Sequence, residues 1–136
     1  MKKKINLNLI VTAIFTAIIT MVCMNVINFY LFDKQVKKDL RNTAQTLQET
    51  GVFNKSAKIP DISVENMRIT WIDTDGTVLY DNENDETVLE NHLNRPEVKE
   101  AISNGEGDSD RQSATMDTKT YYHAILLDDG TILRVS

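Results

Sequence analysis

The feature that most constrains this chain is an unbroken stretch of 26 residues, Leu7 to Phe32, without one Asp, Glu, Lys, Arg or His. As a helix rising about 1.5 Å per residue, such a run reaches roughly 39 Å, more than the roughly 30 Å hydrocarbon core of a bilayer. Asn6, Asn8, Asn25 and Asn28 lie towards its ends, and Phe29 and Tyr30 fall where interfacial aromatic belts form. A cleaved signal peptide needs a shorter apolar core, about 7–15 residues, followed by a small-x-small site. Asn28-Phe29-Tyr30 offers no such site, and Thr20-Met21-Val22 ahead of Cys23 does not make a lipoprotein signal. An uncleaved anchor over residues 7–32 is the expectation.

Charge assigns a direction to that anchor. Lys2, Lys3 and Lys4 precede it, whereas all 20 acids and 12 of the 15 basic residues follow, so Asp33 to Ser136 carries 12 − 20 = −8. The positive-inside rule places residues 1–6 in the cytoplasm and 33–136 outside the cell membrane, although Lys34, Lys37 and Lys38 reduce the bias. An acidic body excludes nucleic-acid binding, which needs clustered Lys and Arg. With 41% hydrophobic and 26% charged residues the chain is not a disordered one. Cys23 is its sole cysteine, which excludes a disulfide framework and a zinc site of paired cysteines.

Residues 33–51 read as a juxtamembrane helix. Val36, Leu40, Thr43 and Leu47 make a narrow 4-3-4 apolar seam among charged and amide residues, and Gly51 stands where a helix ends. Two heptads leave open whether the seam pairs with its twin in a homodimer or packs on its own domain. Residues 52–66, with Lys55, Lys58 and Pro60, read as a connecting loop. Met67, Ile69 and Trp71 alternate with Arg68 and Thr70 as a half-buried strand, and Asp73-Thr74-Asp75-Gly76 turns it into a hairpin with Thr77 to Tyr80. Val88, Leu89, His92 and Leu93 follow at helical spacing. Asn94-Arg95-Pro96-Glu97 has the form of a capping box, and the helix it starts carries Val98, Ala101 and Ile102 towards Gly105. Strands are expected over Arg111 to Met116, Thr118 to Leu127 and, beyond an Asp129-Gly130 turn, Thr131 to Val135. The order gives an α+β module over 67–136, one antiparallel sheet with its helices on one face. An end at Ser136, with no closing helix, reads as a truncated product.

Three segments carry a family resemblance: "RITWIDTDGTVLYDN", "LENHLNRPEVKEAISNGEGDSDRQSAT" and "YYHAILLDDGTILRVS". Together they resemble the extracellular PAS-like (Cache-type) sensor region of bacterial transmembrane sensor histidine kinases, most of all the phosphate-regulon type of Gram-positive bacteria. The resemblance implies a five-stranded antiparallel PAS-like sheet with a helical crossover, a homodimer and a second membrane helix. It also implies a cytoplasmic kinase module using ATP and Mg and a response regulator as downstream partner in a two-component phosphorelay. This chain has no Gly-rich nucleotide box and no second apolar run, so no catalytic residue and no cofactor is expected in it. Two other readings stay open: a self-contained anchored binding protein, and a sensor feeding a chemoreceptor or a cyclic-dinucleotide enzyme.

The same resemblance places a ligand pocket between the sheet and its crossover, with Arg68, Trp71, Arg95, Arg111, Tyr121 and Tyr122 as candidate lining. The three arginines suit an anion by bidentate bonding, although each could equally pair with a nearby acid, and Trp71 and Tyr121 could be core. Val36, Leu40 and Leu47 are the candidate residues for passing a signal to the membrane helix. His92-Leu93-Asn94-Arg95-Pro96 echoes a phospho-acceptor box, but Leu93 stands where an acid belongs, so His92 reads as a surface or half-buried histidine. His123 reads as one flank of the sheet, and two histidines so far apart suggest no metal site. Asp73 to Gly76 departs from a calcium loop, with Gly at the fourth position instead of the sixth. Asp81, Glu83, Asp85 and Glu86 read as a solvated charge run rather than a cation site. Ser113 and Ser136 have no histidine–carboxylate arrangement around them.

Overall fold

The computed structural model describes residues 2–55, 59, 62, 64, 66–112 and 119–136, with the side chains of 2–5 and 88 left out. Helix α1, Lys2–Thr50, is continuous through both helical segments expected from the sequence. The chain forms two compact units, Met1–Gln35 and Val36–Ser136.

In the first unit every residue from Asn6 to Phe32 is exposed, apolar side chains included. A helix apolar all round has no stable place in water, and this one is long and apolar enough to cross a membrane. Four of its polar side chains bond to the helix's own carbonyls, as hydrocarbon demands. The hydroxyls of Thr12, Thr16 and Thr20 donate to carbonyls three and four residues back at 2.9–3.0 Å, and the Asn25 amide donates to the Met21 carbonyl at 2.8 Å.

The second unit is built on a five-stranded antiparallel sheet in the order β2-β1-β5-β4-β3. The strands are β1 Ile69–Ile72, β2 Val78–Asp81, β3 Glu106–Gln112, β4 Lys119–Leu126 and β5 Ile132–Val135. Both expected hairpin turns form: the N–H of Gly76 donates to the Asp73 carbonyl at 2.9 Å, and that of Gly130 to the Leu127 carbonyl at 3.0 Å. Strand β3 begins at Glu106, five residues ahead of the expected Arg111, and the rest of that predicted strand lies outside the described residues, as does Ser113. Lys58, Pro60 and Ser63 of the connecting loop lie outside them too.

The helices sit on opposite faces of the sheet, not on one. Strand alternation sends Ile69, Trp71, Ile125, Leu133 and Val135 to a first face, where Leu40 and Ala44 of α1 pack with Phe53. It sends Ile72, Ala124 and Ile132 to a second face, where Val98 and Ala101 of helix α2, Pro96–Asn104, pack. The reason lies in β1 and β5, which are buried at all four positions each, so both of their faces need cover. The expected half-buried β1 is therefore fully buried, Thr70 included. The 36–47 seam, open between two partners in the sequence, packs on its own sheet: Leu40 is 4% exposed, with Val36 and Leu47 against the same cluster.

The crossover is less helical than its spacing predicts. A single 3₁₀ turn, Glu86–Val88, is followed by non-helical chain over 89–95, held across the first hairpin. The His92 N–H donates to the Gly76 carbonyl and the Asn91 amide to the Asp75 carbonyl, both at 2.8 Å. Gly76 has φ +87°, and a Cβ there would stand 2.6 Å from the Leu93 backbone N–H nitrogen, so only glycine lets hairpin and crossover meet. Gly107 does the same for α2: a Cβ on it would lie 2.8 Å from the Ala101 nitrogen. These two approaches fix the crossover and α2 over the second face.

Candidate functional site

On the second face the two-residue strand period brings Arg68, Thr70, Asp81, Arg111, Tyr122 and Arg134 to one side. They form a chain of polar contacts across the sheet. Arg68 Nε donates to Asp81 Oδ2 at 3.0 Å, and the Thr70 hydroxyl donates to the same oxygen at 2.8 Å while accepting Arg134 Nη2 at 3.1 Å. From α2, Glu97 accepts Arg111 Nη2 and the Ser109 hydroxyl at 2.6 Å each, and Arg134 Nη1 lies 3.5 Å from it. The Tyr122 ring lies under Arg111, 4.3 Å from the guanidinium carbon to the ring centroid, with Arg134 at 5.3 Å.

A cavity of about 280 Å³ opens over this network, lined by Arg68, Arg95, Arg111, Arg134, His92 and Tyr122, with Leu89 and Glu90. Four guanidiniums face two buried carboxylates, Asp81 and Glu97, and two exposed ones, Glu90 on the cavity wall and Glu83 at 4.0 Å from Arg68. Arg95 makes no ion pair among the described residues. Arg134 is 3% exposed, yet its Nε is buried without a hydrogen-bond partner among the described residues, an arrangement that native interiors rarely tolerate.

Titration follows from the same geometry. Burial pulls the Arg134 guanidinium down to about 10 while Glu97 holds it up, so it stays charged at neutral pH. Burial opposes the charged forms of both acids, but their hydrogen bonds outweigh it and hold both below the usual carboxylate range. For Asp81 these come from Thr70, Arg68 and the N–H groups of Glu83 and Asn84; for Glu97, chiefly from Ser109 and Arg111. Burial pushes the His92 imidazole down and repulsion from Arg134 pushes it further, against the Glu90 carbonyl, which favours the charged ring, while Arg95 and Arg68 add smaller repulsions.

Of the six candidate lining residues, Arg68, Arg95, Arg111 and Tyr122 stand around the cavity. Trp71 and Tyr121 lie on the opposite face. Trp71 packs on Phe53 at 5.8 Å between centroids and donates Nε1–H to the Thr131 hydroxyl at 2.8 Å; Tyr121 lies beneath Lys37 and Lys119. Period two already separates Tyr121 from its neighbour Tyr122, and Trp71 from Arg68. The sequence reading missed Arg134, whose signal was one charge inside an otherwise apolar strand, Ile132-Leu133-Arg134-Val135. It also misread Glu97. The N-cap of α2 is Arg95, without a side-chain cap, and Pro96 at the first position sets the helical φ in its stead. No capping box forms, because the Glu97 side chain turns inward to the arginines. His92 is buried at the cavity, 4% exposed, rather than on a helix surface.

The other singled-out groups have local partners. His123 is buried on the first face with Nδ1 2.7 Å from Asp108. Asp73 pairs with Lys55 at 2.6 Å, and Asp85 accepts the Thr87 N–H at 2.9 Å. Four guanidiniums, His92 and Tyr122 make the cavity wall rich in hydrogen-bond donors, an arrangement suited to holding a small anion.

A family model described as single Cache-like matches residues 30–132. No match was found among curated proteins or among solved structures.

Proposed function

The chain belongs to the single Cache-like family, and from that premise we propose that it is the sensing part of a membrane-anchored receptor whose cue is a small anion. The observation that carries the reading is the cavity walled by Arg68, Arg95, Arg111 and Arg134, with Arg95 in no ion pair among the described residues. Its volume lies at the small end of ligand pockets, about 300–1,000 Å³, which suits a metabolite or an inorganic ion rather than a protein segment. In this reading Lys2, Lys3 and Lys4 stay cytoplasmic, residues 7–32 span the membrane, and the sheet unit stands outside. Binding biases two arrangements of the 36–50 segment of α1, through Val36, Leu40 and Leu47, and the continuous helix carries the change inward. The output is a dimeric histidine kinase acting on a response regulator; support for it is the resemblance of the three sequence segments to phosphate-regulon sensor kinases.

Isothermal titration of the full chain in nanodiscs with inorganic phosphate, succinate, citrate and acetate tests the anion reading. Binding of one di- or trianion per cavity is expected. Arg95→Gln should weaken it roughly tenfold or more, the loss of about one charged hydrogen bond, with the melting temperature unchanged because no described residue depends on Arg95 for a salt bridge. Silence across the panel, or unaltered affinity in Arg95→Gln, contradicts the reading.

A further inference from the structure

We infer that the cavity takes up its anion together with a proton, which His92 accepts. The inference rests on the anion reading above and adds to it how the site reads pH and ligand charge. His92 Nδ1 stands 2.5 Å from the Glu90 carbonyl oxygen. A carbonyl only accepts, so Nδ1 carries the hydrogen in the neutral ring and Nε2 is the atom left to gain a proton. Charged groups surround the ring from every element packed around it: Arg68 beside β1, Arg134 on β5, Arg111 on β3 and Arg95 ahead of α2. Against them stand Asp81 of β2 and Glu97 of α2, both held by arginines, the exposed Glu83 at 4.0 Å from Arg68, and the exposed Glu90 of the crossover itself; the Tyr122 ring of β4 completes the wall. Without an anion, burial and the arginines favour the neutral imidazole.

A bound anion offsets the guanidiniums that face the ring, and a dianion offsets them more than a monoanion. One proton then passes from solvent to Nε2, an N–H bond forms, and the imidazolium donates to the anion. A monoanion favours the protonated ring less than a dianion does. His92 therefore selects for ligand charge, and binding tightens as pH falls. The sign follows from linkage: the ring titrates below its ordinary value of about 6.5 when the cavity is empty and higher when it is filled. Between those two values affinity gains up to about tenfold per pH unit lowered.

The test is histidine NMR on the full chain in nanodiscs, with the two imidazoles assigned by His92→Gln. Sulfate and ethane-1,2-disulfonate serve as dianions without a titrating proton of their own, and methanesulfonate is the monoanion. In the free chain His92 should titrate below about 6.5, and Arg95→Gln should raise it. The dianions should raise it by about one unit and the monoanion by less. Calorimetry in buffers of different ionisation enthalpy should count up to one proton gained per dianion, falling to none in His92→Gln. Dianions that shift the Tyr122 resonances but leave the His92 titration unmoved overturn the proton coupling and leave the anion reading intact. Dianions that shift no cavity resonance overturn both. A free His92 that titrates at or above its ordinary value, with no response to Arg95→Gln, overturns the coupling alone.

Discussion

Replacing Glu97 with alanine is expected to destabilise the sensor unit by about 3–5 kcal/mol, the usual cost of removing one partner from a buried ion pair. Glu97 is fully buried and sits between Arg111 and Arg134, the latter itself 3% exposed. Without the carboxylate, Arg134 keeps its charge with nothing but the Thr70 hydroxyl and the Tyr122 ring beside it. The hydroxyl of Ser109 loses its acceptor as well. The effect is a large part of a small domain's total stability, so the variant should unfold at markedly lower temperature or denaturant concentration. Acetate should restore part of the loss, because a free carboxylate can fill the space the side chain leaves. Urea unfolding followed by circular dichroism measures both. A midpoint within error of the wild type would contradict the placement of Glu97 as counter-ion of the network.

Leu40→Asp is expected to be at least as severe, and it acts on the other face. Leu40 packs in the cluster that contains Ala44, Phe53, Ile69, Trp71 and Leu133. Truncating such a leucine to alanine costs about 2–5 kcal/mol, and a carboxylate adds the cost of a buried, unpaired charge. The 36–50 segment should therefore leave the sheet. The chain has one tryptophan, Trp71, in that cluster, which makes its fluorescence a direct report. Emission should move to the red in Leu40→Asp and stay blue in Leu40→Ala, whose stability falls less. In the intact receptor the aspartate variant should no longer respond to ligand. Blue emission and wild-type stability in Leu40→Asp would show that the helix is not held as described.

Much of this fold was legible in local pattern. Both hairpins followed from Asp-Gly turns, the long apolar helix from an uncharged run, and the start and end of α2 from Pro96 and Gly105. What escaped was set by tertiary cover. Thr70 and Arg134 look like solvent-facing positions of half-buried strands until a second helix closes that face. Helical spacing at Val88 to Leu93 lost to the contacts that hold Asn91 and His92 against the Gly76 turn. Glu97 had two uses open to it, a capping box or a counter-ion, and two arginines from distant strands outweighed one backbone N–H. The candidate site was half legible: alternation alone separates Arg68 and Tyr122 from Trp71 and Tyr121, but no sequence spacing joins Arg134 of β5 to His92 of the crossover.

The central claim is that an anion on the second face moves the α1 segment docked on the first. A double-label distance measurement tests it most directly, using spin labels on the exposed positions Gln45 of α1 and Ser103 of α2, with Cys23→Ser removing the native thiol. The full chain in nanodiscs is measured with and without a saturating anion from the titration panel. The account predicts a shifted distance distribution, of the order of the 1–2 Å displacements (roughly) by which helices switch, and its loss in Arg95→Gln at the same anion concentration. Superimposable distributions with the cavity demonstrably filled would contradict it.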